Sequence, residues 1–381
     1  MVTNDEKSRI WQAYRDRRPL RVPVTLGINP RVVILDEEWN PGGITFEDCF
    51  ADADAAIQVQ LRYMEYLHER AHHHCDSPTG LPAEFSFYVD VQNIYDAAYF
   101  GAPLVFRDDQ VPDALPYLAE GDKNRIFQMD IEHPLDNPFL QACLKRHEDL
   151  TRSAGRVNYR DVTYRVQPFV LGFDGPLTVG AALRGQEMFS DFYEDPPYVR
   201  RLMEFLTEGA ILRRRALAER FGIEPFDGAG GFADDSIQLI STELYRRHVL
   251  PLHRRWYELW GPGPHGMHLC GDATRHFPTI RDELNVHSFD TGFPVDHGAL
   301  RKALGPDVEI SGGPEVSLLR SGTPEQVYDR ARQILQSGVM EGGRFILRDA
   351  NNLPPRCPQA NLSAMYRCCL DHGRYAEPAE E

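Results

Sequence analysis

Four stretches in the C-terminal half share one signature: GMHLCGD at 266–272, VHSFDTGFP at 286–294, VEISGGPE at 308–315 and RFILRDANN at 344–352. Each is a short apolar run that ends in Gly, Asp or Asn, the residues that turn a chain as it leaves a buried parallel strand. Helical patterns lie between them. At 324–335 the apolar stripe is Val327, Ala331, Ile334 and Leu335, with Thr323 placed to cap its start and Gly338 its end. Further strand-like runs are RVPVTLG at 21–27, FSFYVDV at 85–91 and VQPFVLGF at 166–173. The longest helical pattern, 197–221, carries Val199, Leu202, Met203, Leu206 and Ala210 on one face, Asp195 before it and Gly222 after it. Two more run over 52–70 and 242–260. Strand, loop and helix repeating at roughly 20–45 residue intervals predict a parallel sheet with helical crossovers. The fold class is α/β, a (β/α)8 (TIM) barrel with additional N-terminal helices. A doubly wound open sheet is the alternative. It is weakened by the absence of G-x-G-x-x-G after the first strand, which also argues against a nucleotide cofactor.

The chain has 381 residues, 42% apolar and 26% charged, enough to bury a full core. No composition break or low-complexity linker divides it. The expectation is one barrel domain over 1–381, with 1–20 as an N-terminal helical extension and 376–381 as a frayed tail. A formal net charge of −16 repels phosphate backbones and anionic lipid. Nucleic acid and membrane are therefore not expected as partners, and a small-molecule substrate is. Seven cysteines form an odd, sparse set that suits a reducing cytoplasm. The N-terminus lacks the apolar core of a secretory signal, and no apolar window approaches the ~20 residues of a membrane span. Arg213, Arg214 and Arg215 read as a solvated helix face. His72, His73 and His74 read as a solvated helix terminus.

In a (β/α)8 barrel the chemistry sits at the C-terminal ends of the strands. The polar residues expected there are Asn29, Asp90, Asp174, Asp234, Asp235, His268, Cys270, Asp272, Asp290 and Asn351. The sharpest feature is His268-Leu269-Cys270. Residues i and i+2 of a strand share a face, so the imidazole and the thiol project together. That pair suits Zn²⁺; a hydrogen-bonded His beside a buried Cys is the plainer alternative.

The chain resembles the uroporphyrinogen decarboxylase superfamily. The matching stretches are DDSIQLISTELYRRHVLP at 234–251, HLCGD at 268–272, FDTGFP at 289–294, ISGGPE at 310–315, SGTPEQV at 321–327 and ILRDANNLPPRCPQANL at 346–362. Looser matches are FYVDVQNIYDAAYFG at 87–101 and FVLGFDGPLTVG at 169–180. The resemblance implies a (β/α)8 barrel, an enzyme and a homodimer. Its methyltransferase branch implies zinc on His268, Cys270 and Asp290, an acceptor thiol, and a methyl group from a corrinoid protein or a methylated small molecule. No D-x-H-x-x-G occurs, so a corrinoid would arrive on a separate protein. Asn351 stands where that branch has a second Cys, and Cys357 is the nearest thiol downstream. The catalytic residues implied are Asp90, Asp234, Asp235 and His268, with Asn29, Arg31, Asp174 and Asn351 binding substrate. The decarboxylase branch implies instead a metal-free lyase, with Asp90 as acid and with His268 and Asp290 holding a carboxylated substrate. Its arginine-rich segment is here reduced to Arg31, which leaves a tetra-anionic porphyrinogen poorly held. A non-catalytic binding barrel is the third reading.

Overall fold

The computed structural model describes residues 2–375; Met1 and the 376–381 tail lie outside the described residues. Nine strands form among them: β1 (Glu84–Phe87), β2 (Leu104–Arg107), β3 (Gln110–Ala114), β4 (Thr163–Val166), β5 (Gly231–Ala233), β6 (His265–Leu269), β7 (Val286–Thr291), β8 (Glu309–Gly312) and β9 (Phe345–Leu347). β5 to β9 make one parallel sheet in sequence order, and β1 pairs β4 in parallel. The 21–27 run touches β9 through a parallel bridge from Val24 to Leu347, so the first and last strands of the alternation are neighbours. Eight strand positions arranged in this way form the expected (β/α)8 barrel. The backbone ladder is interrupted between the 21–27 run and β1 and between β4 and β5.

β6 shows how the sequence selects its faces. His265, Met267 and Leu269 are buried, whereas Gly266 and His268 between them are only half-buried. The apolar side chains meet the surrounding helices, and the alternate positions turn inward toward the barrel mouth. β7 carries one extra residue opposite the His265–Gly266 step, and its fully buried positions are Val286, Phe289 and Thr291. One apolar cluster runs from Val22 to Cys369 and joins the strands to the helices around them.

The helices begin and end where their caps predict. The helix Pro196–Phe221 starts on Asp195, whose carboxylate accepts from the Tyr198 N–H, and stops at Gly222 in the left-handed conformation. The helix Pro324–Ile334 starts on a capping box of Thr323 and Gln326. Arg213 departs from its expectation. It lies fully buried on the helix Pro196–Phe221 and pairs with Asp96 at 2.6 Å. Its apolar face is shared with Tyr95 and Tyr99, which the run of three arginines in sequence conceals.

Two features lie outside the alternation. β2 and β3 form an antiparallel hairpin. The helix Asn4–Arg15 crosses the N-terminal ends of the barrel strands, where Tyr14 donates to Glu309 and its ring stacks under Arg344. The first strand is fixed by Asp76, which is wholly buried and takes both Arg21 guanidinium nitrogens, the Val24 N–H and the Tyr366 hydroxyl. No helix of the described residues is long and apolar enough to cross a membrane.

Candidate active site

The parallel register sets His268 beside Asp290 and ends both strands on the same side of the sheet. His268 Nδ1 lies 2.7 Å from Asp290 Oδ2, and His268 Nε2 lies 3.1 Å from Cys270 Sγ. The turn after β6 needs glycine. Gly271 has φ +73, and a Cβ there would fall 1.7 Å from Gln238 Oε1. That turn aims the Cys270 N–H at Asp235 Oδ1, 2.7 Å away, and so draws Asp235 against the pair. The ligand atoms of Asp235, His268 and Cys270 all lie within 4.8 Å of one another.

This donor set of carboxylate oxygen, imidazole nitrogen and thiol sulfur fits Zn²⁺, which takes three protein ligands in catalytic sites. The surroundings fit too. Asp290 on Nδ1 leaves Nε2 facing the sulfur, the arrangement by which outer carboxylates orient zinc-binding histidines. The structure therefore groups Asp235 with His268 and Cys270, whereas the resemblance implied Asp290 in that place. Asp290 serves the other side of the ring and also takes Arg348 Nη1 at 2.8 Å. Desolvation, the largest influence on His268, disfavours its charge. The bonds to Asp290 and Cys270 outweigh it and push the imidazole up to about 10.

The other expected site residues divide. Asp174 follows β4 and accepts from the Tyr95 hydroxyl, while its own N–H donates to Asp96. Burial, with the charges of Asp96 and Asp235 adding, pushes its carboxyl up to about 7. Burial also raises Asp235, against the pull of the Cys270 N–H and His268. Asp234 is fully buried and fully engaged. It accepts from the Leu177 and Thr178 N–H groups, the Thr178 hydroxyl and His253 Nε2. From the turn after β5 it caps and braces the helix Pro176–Arg184.

Asp90 takes the N–H and the side-chain amide of Gln92, and Arg31 donates to the same Gln92 at 3.2 Å. Burial raises the Asp90 carboxyl, opposed by Gln92 and Arg31. Asn29 spends its side-chain oxygen on the Arg31 N–H, an ordinary turn bond. Asn351 has φ +133, and its side-chain oxygen accepts from Asn352; its carbonyl accepts from Arg348. Asn351 thus reaches the centre only through Arg348. Cys357 is buried with its thiol directed at the Leu319 carbonyl, outside the Asp235, His268 and Cys270 group. His72 bonds the Pro78 carbonyl, and burial lowers it to about 4.

Sequence reasoning missed Tyr95 and Asp96 as supports of Asp174, and also Gln92, Arg348 and Asp349. Arg348 and Asp349 follow β9 directly, so the strand-end rule that selected Asn351 applies to them with more force. Asp349 is fully buried, with Oδ1 accepting from the Gly27 N–H. Burial pushes it up to about 7, against Arg348 and Gly27. The folded chain therefore binds a proton here, between about pH 4 and 7, that the unfolded chain releases. Stability is expected to fall as pH rises through that window, and Asp349→Asn should flatten this part of the profile. Denaturant melts of both proteins at several pH values check it.

The family described as Uroporphyrinogen decarboxylase (URO-D) matches residues 100–372, more than half of the chain. A "Methylated-thiol--coenzyme M methyltransferase" of Methanosarcina mazei is 31% identical over 207 residues, 54% of this chain and 53% of that protein. A "Methylcobamide:CoM methyltransferase MtbA" of Methanosarcina acetivorans is 23% identical over 211 residues, 54% of this chain and 58% of that protein. The chain thus aligns with little more than half the length of these curated relatives. A solved structure of a methyltransferase from Methanosarcina mazei superposes with a TM-score of 0.63 at 14% identity, covering 97% of this chain and 99% of that one. That likeness carries the fold.

Proposed function

The chain belongs to the uroporphyrinogen decarboxylase family, and within it we propose a methyltransferase that passes a methyl group to the sulfur of a small thiol. The observation that carries this reading is the convergence of Asp235, His268 and Cys270 at the strand ends. These three residues would hold zinc, and Asp290 would hold His268. Zinc bound there supplies positive charge that lowers the pKa of an acceptor thiol and makes it nucleophilic at neutral pH.

The chain's own residues do the rest. Cys270, half-buried beside His268 and the Asp235 carboxylate, and the His268 imidazole must each give up a proton to serve as ligands. Asp174, near 7, is suited to receive the acceptor's proton at neutral pH. The sulfur–carbon bond then forms as the methyl group leaves its donor, and the proton passes through Asp174 to solvent. The relatives' names point to thiol acceptors and, for the second, a methylcobamide donor. A corrinoid delivered by a separate protein and a soluble, cytoplasmic setting belong to the same proposal.

The test is incubation of the purified protein with methylcobalamin and short thiols, with chelator and after zinc is restored. The expected result is thioether formation that chelator abolishes and zinc recovers. Absence of transfer to any thiol, or transfer that ignores the chelator, contradicts the reading. Release of CO2 from a carboxylated substrate with no metal dependence would favour the lyase alternative.

A further inference from the structure

We propose that Arg348 is a positioning residue: it clamps Asp290 against His268 and so keeps that carboxylate out of the ligand set. For the metal, this rests on the zinc methyltransferase reading; for the side-chain geometry it stands alone. The guanidinium is held at three points. Nη1 donates to Asp290 Oδ2 at 2.8 Å, Nη2 to the Asn351 carbonyl at 2.6 Å and Nε to the Asp349 carbonyl at 3.2 Å. Asp290 Oδ2 is the same atom that meets His268 Nδ1, while Oδ1 is buried with no partner. One oxygen is thus shared between the ring and the clamp, and the carboxylate has no second anchor of its own.

The first strand is shaped to admit this arrangement. A Cβ on Gly27 would lie 2.0 Å from Arg348 Nη2 and 2.5 Å from the Asn351 carbonyl oxygen. Gly27 is therefore the gap in which the clamp sits. Its backbone does not occupy the left-handed region, so space and not conformation demands glycine here. The turn at Asn351 contributes through its carbonyl, which explains why a side chain without a thiol suffices there. By holding Asp290 on Nδ1, the clamp reserves Nε2 of His268 for the Asp235 and Cys270 side.

The clamp is tested with two variants that conserve charge. Arg348→Lys keeps the cation but loses the planar fork that reaches three acceptors. Gly27→Ala keeps the arginine but fills its seat, so the proposal remains testable if one variant fails to fold. The metal-free proteins are labelled with 15N-histidine, and the His268 Nδ1–H resonance is followed by NMR. Zinc alone is then titrated in competition with a chromophoric chelator. Both variants should lose the hydrogen-bonded Nδ1–H resonance and bind zinc about tenfold more weakly, the scale on which outer partners of a ligating histidine act. Retention of the resonance, with zinc affinity within about twofold of the parent, would overturn the proposal. Loss of the resonance in proteins of which none, the parent included, binds zinc would support the clamp and refute the methyltransferase reading.

Discussion

Cys270→Ser is expected to lower thiol methylation by roughly 10³-fold, because a metal acting as Lewis acid contributes several kcal/mol to such a step and each 1.4 kcal/mol is about tenfold in rate. The hydroxyl is a poor zinc ligand beside His268, and the carboxylate of Asp235 and the imidazole alone make a two-ligand site. The fold should survive, since the backbone N–H at position 270 still donates to Asp235 in the variant. The check is a steady-state assay with methylcobalamin and a thiol, beside a thermal melt. A variant of parental stability with parental activity would remove Cys270 from the chemistry.

Asp234→Ala should act in the opposite way, through stability. It removes an acceptor from His253 and from three donors at the start of the helix Pro176–Arg184, all around a carboxylate with no exposure. Leaving such donors buried and unpaired costs on the order of 3 kcal/mol or more. An unfolding free energy lowered by that amount in a denaturant melt, with residual activity proportional to the folded fraction, is the expected outcome. A stable but inactive variant would return Asp234 to the catalytic list.

Cys270 and Asp234 mark how much of the site is legible in the sequence. The strand alternation at 265–291 and the i, i+2 pairing of His268 with Cys270 follow from local periodicity, and both hold in the structure. The caps at Asp195, Gly222 and Thr323 are likewise local and appear where expected. The division of labour between adjacent Asp234 and Asp235 is not local. It depends on a turn that directs one carboxylate under a helix from the preceding crossover and its neighbour onto the Cys270 N–H. The exchange of Asp290 for Asp235 among the candidate ligands has the same origin. Asp290 is in register with His268, but Arg348, 58 residues further on, decides which side of the ring it serves. Arg213 is hidden for a related reason. Its partner Asp96 is distant in sequence, so a run of three arginines reads as solvated until the helix is packed.

The central claim is that Asp235, His268 and Cys270 hold one zinc ion. Elemental analysis of the protein after zinc loading and gel filtration, beside Asp235→Ala, Cys270→Ser and Asp290→Asn, tests it most directly. The account predicts zinc in the parent protein, little or none in Asp235→Ala and Cys270→Ser, and weakened but retained binding in Asp290→Asn. A parent protein without zinc, or one whose zinc content is indifferent to Asp235 and Cys270, would contradict it.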